Sequence, residues 1–474
     1  MAAMTELIRL TANEIISLLR SEEITPLDCL DALETRIAQV DKAVNALPTL
    51  CFERARDHAK ALMKKSVAER GRLAGLPIPI KDLNDVAGVR STQGSPIFAH
   101  HIPNKSDILV ENLEDQGGIV YAMSNTPEFG AGANTFNEVF GRTLNPWNLS
   151  RSAAGSSGGA AAALATGTAW VAHGSDMGGS LRNPASFCGV TGLRPSPGRV
   201  AASVYGKIDG TLGVEGPMAR NVEDLALLFD AMVGANPADP LSLPREDVSY
   251  LAAARSGWKP KRVAFSRDLG ITPVDPEVAE IVERAALKLA DAGVIVEEAH
   301  PDLTEAHECF QVLRALAYAS GFKTLYENHR DKLKSDVIWN VEKGLKLTGG
   351  EIARAEMQRG VMFARMREFF TRYELILCPS TIVAPFPVEQ RYVAECDGQK
   401  FSNYVEWLAI VYAFTNVASP AISIPAGFTR EHLPVGIQIA APCRGEDRLL
   451  AAAKLLEDLL GLGVITPIDP RPGK

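Results

Sequence analysis

Apolar residues recur at helical spacing through the first 65 residues of this chain, and each run opens on a helix-start signal. Thr11-x-x-Glu14 has the reciprocal pattern of a capping box. Thr25-Pro26 sets a cap and an N1 proline ahead of Leu27, Leu30, Leu33, Ile37 and Val40. These residues predict an N-terminal helical arm, 1–65. From Gly75 the pattern changes to short β-type runs, PIPI, GGIVYAM and WVAHGS, separated by glycine-rich turns and helices. That alternation predicts an α/β sheet.

Further along, a helix over 222–233 is capped by Asn221 and stopped by Gly234, and the linker-like ANPADPLSLP follows. RVAFS (262–266), a helix opened by Asp275-Pro276, and VIVEEA (294–299) read as a parallel βαβ unit. Residues 303–372 carry helical periodicity, after which ELILCPS (374–380), AISIPAG (421–427) and VGIQIAAP (435–442) return to strands. The predicted architecture is α/β: a single large mixed, mostly parallel twisted sheet covered by helices. One structural domain, 66–474, carries the arm and a helical insertion at 303–372.

Composition removes several function classes. The 474 residues hold 49 Lys and Arg against 57 Asp and Glu, a net charge of −8, with no block of like charges. A nucleic-acid partner, which needs a basic stripe, is not expected. Seven cysteines, at 29, 51, 188, 309, 378, 396 and 443, include no C-x-x-C pair, as for free thiols in a reducing cytosol. MAAMTELIRL lacks a signal-peptide pattern and no run of eighteen apolar residues occurs, so the expectation is a cytoplasmic protein with no membrane partner. Metal-ligand spacing is absent, and no metal or other cofactor is expected.

The candidate chemistry lies in two serine loops. In AAGSSGGAAAALATG (153–167) a helix begins immediately after the glycines, so the loop presents unpaired N–H groups at a helix entry. A phosphate cradle is the first rival, but no G-x-x-x-x-G-K-[ST] occurs, and Gly130-x-Gly132 has Thr135 where a dinucleotide loop needs Gly or Ala. In the second loop, Met177-Gly178-Gly179-Ser180, glycines before a serine let backbone N–H groups converge as an oxyanion hole requires. Ser180 reads either as a nucleophile or as part of an ordinary tight turn.

A nucleophile needs a base. Only His173 lies near in sequence, and there is no G-x-S-x-G elbow. A Ser-Lys pair is the alternative. Lys81 ends the run GLPIPIK, where Ile78 and Ile80 would carry it inward and desolvation would favour the neutral amine. Asp82 would face the other way. A solvated strand-end lysine stays open as the other reading.

GLPIPIKDLNDVAG, AAGSSGGAAAALATG and GSDMGGSLRNPASFCGVTGLRPSPGRV resemble the three core stretches of the amidase signature family, and SPAISIPAGF with LPVGIQIAAP resemble its C-terminal strands. The resemblance implies a Ser-cisSer-Lys triad: Lys81 as base, Ser156 as bridging serine on a cis peptide, Ser180 as nucleophile. Met177, Gly178 and Gly179 would form the oxyanion hole, Phe129 and Gly130 the pocket wall, and Ser157, Asp176 and Arg182 the supporting scaffold. Where the family has Pro-Gly, this chain has Ala153-Ala154, which predicts φ below zero at 154.

The implied activity is hydrolysis of a small-molecule carboxamide through an acyl-enzyme, by an expected homodimer. Two alternatives stand beside it. One is the A subunit of a glutamine-dependent aminoacyl-tRNA amidotransferase, in which an acidic residue would hold the glutamine amino group where this chain has Leu408, with Glu406 nearby. The other is a non-catalytic binding module, which an intact triad disfavours.

Overall fold

The computed structural model describes residues 6–203, 210–247 and 249–473. Ala12–Arg20 and Pro26–Val44 are helices that start where their caps predict, both on full capping boxes, Thr11 with Glu14 and Thr25 with Asp28. Phe52–Leu62 follows. These helices bury Ile15, Leu19, Leu30 and Leu33 against the body.

The body is α/β, built on an eight-stranded mixed sheet. Its spatial order is Ile295–Glu298, Arg262–Phe265, Leu375–Pro379, Pro434–Ala440, Ala421–Phe428, Thr191–Arg194, Val214–Ala219, Val171–Asp176. The βαβ unit is present, with Arg262–Phe265 and Ile295–Glu298 parallel around the helix Pro276–Leu287.

Two expectations need correction. The sheet is not mostly parallel: Arg262–Phe265 pairs parallel with both neighbours, whereas every other adjacent pair is antiparallel. Connection length explains part of this. Ala421–Phe428 and Pro434–Ala440 are joined by a turn too short for a parallel crossover, so they must form a hairpin. Val171–Asp176 and Thr191–Arg194 do run the same way across the helix Arg182–Cys188, but Val214–Ala219 inserts antiparallel between them.

Nor is there a single sheet. Pro77–Lys81 pairs parallel with Ile119–Ser124, and Thr49–Leu50 completes a separate three-stranded sheet. The reason is in the sequence. Alternate N–H groups of a strand point to the same edge, and on this edge Pro77 and Pro79 have none. The next, that of Lys81, donates to His173 Nδ1 at 3.3 Å. The edge turned toward Val171–Asp176 therefore offers no donor to a ladder.

Helices cover both sheets. Gly158–Thr166, the alanine run after the first serine loop, is buried throughout. Residues 303–372 contain the helices Ala306–His329, Ser335–Leu345 and Gly349–Arg372, of which the first and third line one side of the site. No helix among the described residues is long and apolar enough to cross a membrane.

Ala154 departs from expectation. Its φ is +56°, held by two bonds from Thr135 to its carbonyl (N–H 3.1 Å, hydroxyl 2.8 Å) and one from its own N–H to Ser152 Oγ (2.9 Å). Ala154→Gly should nonetheless leave the melting temperature nearly unmoved. Relief of the left-handed conformation, about 1–2 kcal/mol, is offset by about 0.5–1 kcal/mol of chain entropy and ~0.8 kcal/mol of lost methyl burial. Ala154→Val, branched at the same φ in a fully buried position, should destabilise by about 2–3 kcal/mol in chemical denaturation.

Candidate active site

Lys81 stands at the end of its strand with its side chain fully buried. Its Nζ lies 2.7 Å from Ser156 Oγ, 2.9 Å from Ser157 Oγ and 3.0 Å from Ser175 Oγ. Burial pushes the amine down to about 7, and the more distant charges of Glu215 and Asp176 only partly oppose it. A neutral amine has two donors and one lone pair, so in that state one of the three hydroxyls must donate to it. Asp82 turns to Thr92, accepting its N–H at 2.7 Å and its hydroxyl, and burial pushes this carboxyl up to about 6.

The two serine loops meet at this lysine. The Gly155–Ser156 peptide is cis. Ser157, at the mouth of the Gly158–Thr166 helix, donates its N–H to Ser180 O at 3.1 Å. Ser156, Ser175 and Ser180 line one cavity of about 730 Å³, with Leu83, Phe129, Gly130 and Met177 beside them. Phe129 packs its ring against Phe98 and Phe322. Gly130 is close enough that an added Cβ would lie 3.5 Å from Ser156 Oγ.

The second loop follows the strand Val171–Asp176 and is held from beneath. Asp176 accepts the N–H of Gly179 (2.9 Å) and of Leu181 (3.1 Å), and both its oxygens meet Arg182, at 3.1 and 3.0 Å. Arg182 also donates to Val411 O (2.9 Å) and Gln438 Oε1 (3.0 Å). Burial alone would raise the Asp176 carboxyl, but the guanidinium of Arg182, then that of Arg194, hold it well below the usual carboxylate range.

One member of the expected oxyanion hole is otherwise engaged. Gly179 gives its N–H to Asp176, so it does not point to the cavity as an open donor. Among the described residues no acceptor takes the N–H of Met177, Gly178 or Ser180. Gly179 serves the turn instead. At φ +94° a Cβ there would lie 2.6 Å from Val411 and 2.7 Å from Asn183, so only glycine lets the chain pass.

Arg182 and Asp176 are both fully buried, which excludes a solvated surface pair. Arg182→Met would leave a buried carboxylate with Arg194 alone, 3.5 Å away. The expected loss is about 3–5 kcal/mol of stability, read as a fall in melting temperature.

Sequence reasoning missed Ser175, Arg194 and Glu215, and gave His173 only as the nearby histidine. Ser175 gives Lys81 a third hydroxyl, and Arg194 supports Asp176. His173 accepts the Lys81 N–H and pairs its Nε2 with Glu215 at 2.7 Å. Strand alternation was the available signal for two of them, because His173 and Ser175 share one face of Val171–Asp176. Glu215 and Arg194 come from strands distant in sequence and carried no local mark.

A family model described as Amidase matches residues 28–450. An acylamidase of Rhodococcus erythropolis is 34% identical over 453 residues, covering 94% of this chain and 95% of the relative. The A subunit of the glutamyl-tRNA(Gln) amidotransferase of Halothermothrix orenii is 32% identical over 490 residues, covering 98% and 99%. Among solved structures, a bacterial aryl acylamidase of the amidase signature family superposes with a TM-score of 0.89 at 26% identity, over 97% of this chain and 99% of that one.

Proposed function

Because this chain belongs to the amidase signature family of amide-hydrolysing enzymes, we propose that it is a stand-alone amidase working through Ser180, Ser156 and Lys81. The observation that carries this reading is the buried Lys81 amine, brought to about 7 and bonded at 2.7 Å to a serine that shares a cavity with Ser180.

Ser180 Oγ attacks the amide carbonyl carbon and passes its proton to Ser156 Oγ, whose own proton moves to Lys81 Nζ. The carbonyl oxygen takes the negative charge, and the free N–H groups of residues 177, 178 and 180 stabilise it. When the C–N bond breaks, the proton returns from Lys81 through Ser156 to the leaving nitrogen, giving an acyl ester on Ser180 and free ammonia or amine. Water, deprotonated along the same relay, then hydrolyses the ester to the carboxylic acid.

The amidotransferase relatives make an ammonia-donating subunit the second reading. Glu406 weighs against it: its carboxylate is occupied by Ser402 and Asn403 and lies 3.4 Å from His307, and neither it nor the buried Leu408 lines the cavity. Assay of the purified chain alone against a panel of amides, with ammonia and amine detection, tests the proposal. Hydrolysis without a partner supports the amidase; inactivity across the panel, with activity only on glutamine after partner subunits are added, would establish the second reading.

A further inference from the structure

The cavity beside Ser180 holds a buried cation that no carboxylate among the described residues matches. Arg314 projects from the helix Ala306–His329 and is 7% exposed. Its Nη2 donates to Tyr318 Oη (3.1 Å) and Tyr404 Oη (2.8 Å), and its Cζ lies 4.4 Å from the Tyr318 ring centroid. Among the described residues its Nη1 reaches only the thioether of Met177, at 3.4 Å, and its buried Nε bonds nothing. No carboxylate among the described residues pairs with it. Asp336, on the neighbouring helix, is already taken by Lys334 (3.0 Å) and Arg391 (2.9 Å).

Other charges on the cavity wall are spoken for. Glu215 is paired with His173, Asp176 with Arg182, and Asp239 accepts the N–H groups of Ala202 and Leu241. Glu356 stands exposed. A second guanidinium, Arg359, also lines the cavity, bonded to Thr211 Oγ1 and Asn416 O but to no carboxylate among the described residues. A guanidinium removed from water with donors unmade is unfavourable unless an anion completes it, and its planar fork matches a carboxylate.

We propose that Arg314 is the specificity residue for substrates that carry an ionised carboxylate in addition to the amide. This rests on the amidase reading above. Met177 fixes the geometry: it touches Arg314 through its sulfur and lies three residues before Ser180, so the carboxylate sits a short spacer from the scissile carbonyl. Tyr318 and Tyr404 hold the guanidinium in place, and Asn340 braces the Tyr404 hydroxyl.

Matched pairs of ω-carboxy amides and the corresponding neutral diamides, succinamate with succinamide and glutaramate with glutaramide, test this. Wild-type kcat/KM should favour the carboxylated member of at least one pair by tenfold or more. In Arg314→Gln the ratio within that pair should collapse toward one, and Arg314→Lys should restore part of it. A merely structural arginine would lower both members together and leave the ratio unchanged; that result, or a wild-type preference for the neutral diamides, overturns the proposal.

Calorimetric binding of the same carboxylates to Ser180→Ala protein needs no turnover and separates the two readings. Binding that Arg314→Gln abolishes, together with a wild-type chain that hydrolyses no amide, would sink the amidase and keep the carboxylate site. Equal binding with and without the guanidinium would sink the site. Circular dichroism spectra and melting curves of the variants ensure that a loss is read only from folded protein.

Discussion

Ser180→Ala should abolish amide hydrolysis, with kcat falling by about 10⁴- to 10⁶-fold, the range typical of lost serine nucleophiles. The substitution removes one oxygen and adds nothing. The contacts that shape the loop belong to Asp176, Arg182 and the backbone, so the melting temperature should hold. Ser156→Ala should be damaging but less so, because Ser157 and Ser175 still bond Lys81 and a water in the place of the lost hydroxyl can carry the proton. Burst kinetics with a chromogenic anilide would check this ordering. A Ser180→Ala enzyme retaining a tenth of the wild-type rate would remove Ser180 from the chemistry.

On the proposed mechanism Lys81 should govern the pH dependence. If it accepts the relayed proton, kcat/KM should rise with pH along a limb centred on its amine, at about 7. Lys81→Met should lose that limb together with about 10³-fold or more of the rate. Lys81→Arg should be as inactive, since a guanidinium does not give up its proton. Stability moves as well. The folded-state value lies below that of an unfolded lysine, 10.5, so the unfolded chain binds more protons in between. Below about pH 7 both states are charged and the cost of burying the cation is fully present; it fades as pH rises to 10.5, where both are neutral. Relative to Lys81→Met, wild-type protein should therefore gain up to about 5 kcal/mol across that window, measurable by denaturant titration. A flat difference would mean that the amine is not depressed.

Much of the fold and of the candidate site is legible in the sequence. Caps at Thr11, Thr25, Asn221 and Asp275 marked helix starts because capping is a local event within four residues. The serine loops and the apolar run ending at Lys81 were legible for a similar reason: glycine and alternation report backbone shape directly. Strand direction was not, because a β run looks the same from either end, and the antiparallel insertion of Val214–Ala219 depends on a connection far from the strands it separates. Arg194, Glu215 and Arg314 escaped for the related reason that their significance lies in partners tens to hundreds of residues away. Ala154 misled differently. The expectation applied the usual aversion of alanine for positive φ, and tertiary bonds from Thr135 and Ser152 outweighed it.

The prolines at 77 and 79 have a consequence for how the enzyme keeps its parts in alignment. Two strands laced by backbone hydrogen bonds are indexed many times over, and a slip breaks several of them at once. Along the seam between the small sheet and the large one that lacing is missing, and the link at Lys81 runs through its N–H to the His173 ring and its amine to three serines. In the mechanism we propose, the Lys81 amine is thus also the dowel that locates one half of the site against the other. Tuning its basicity and setting its position are a single mechanical problem here, and a redesign that replaces the lysine must supply a new peg as well as a new base.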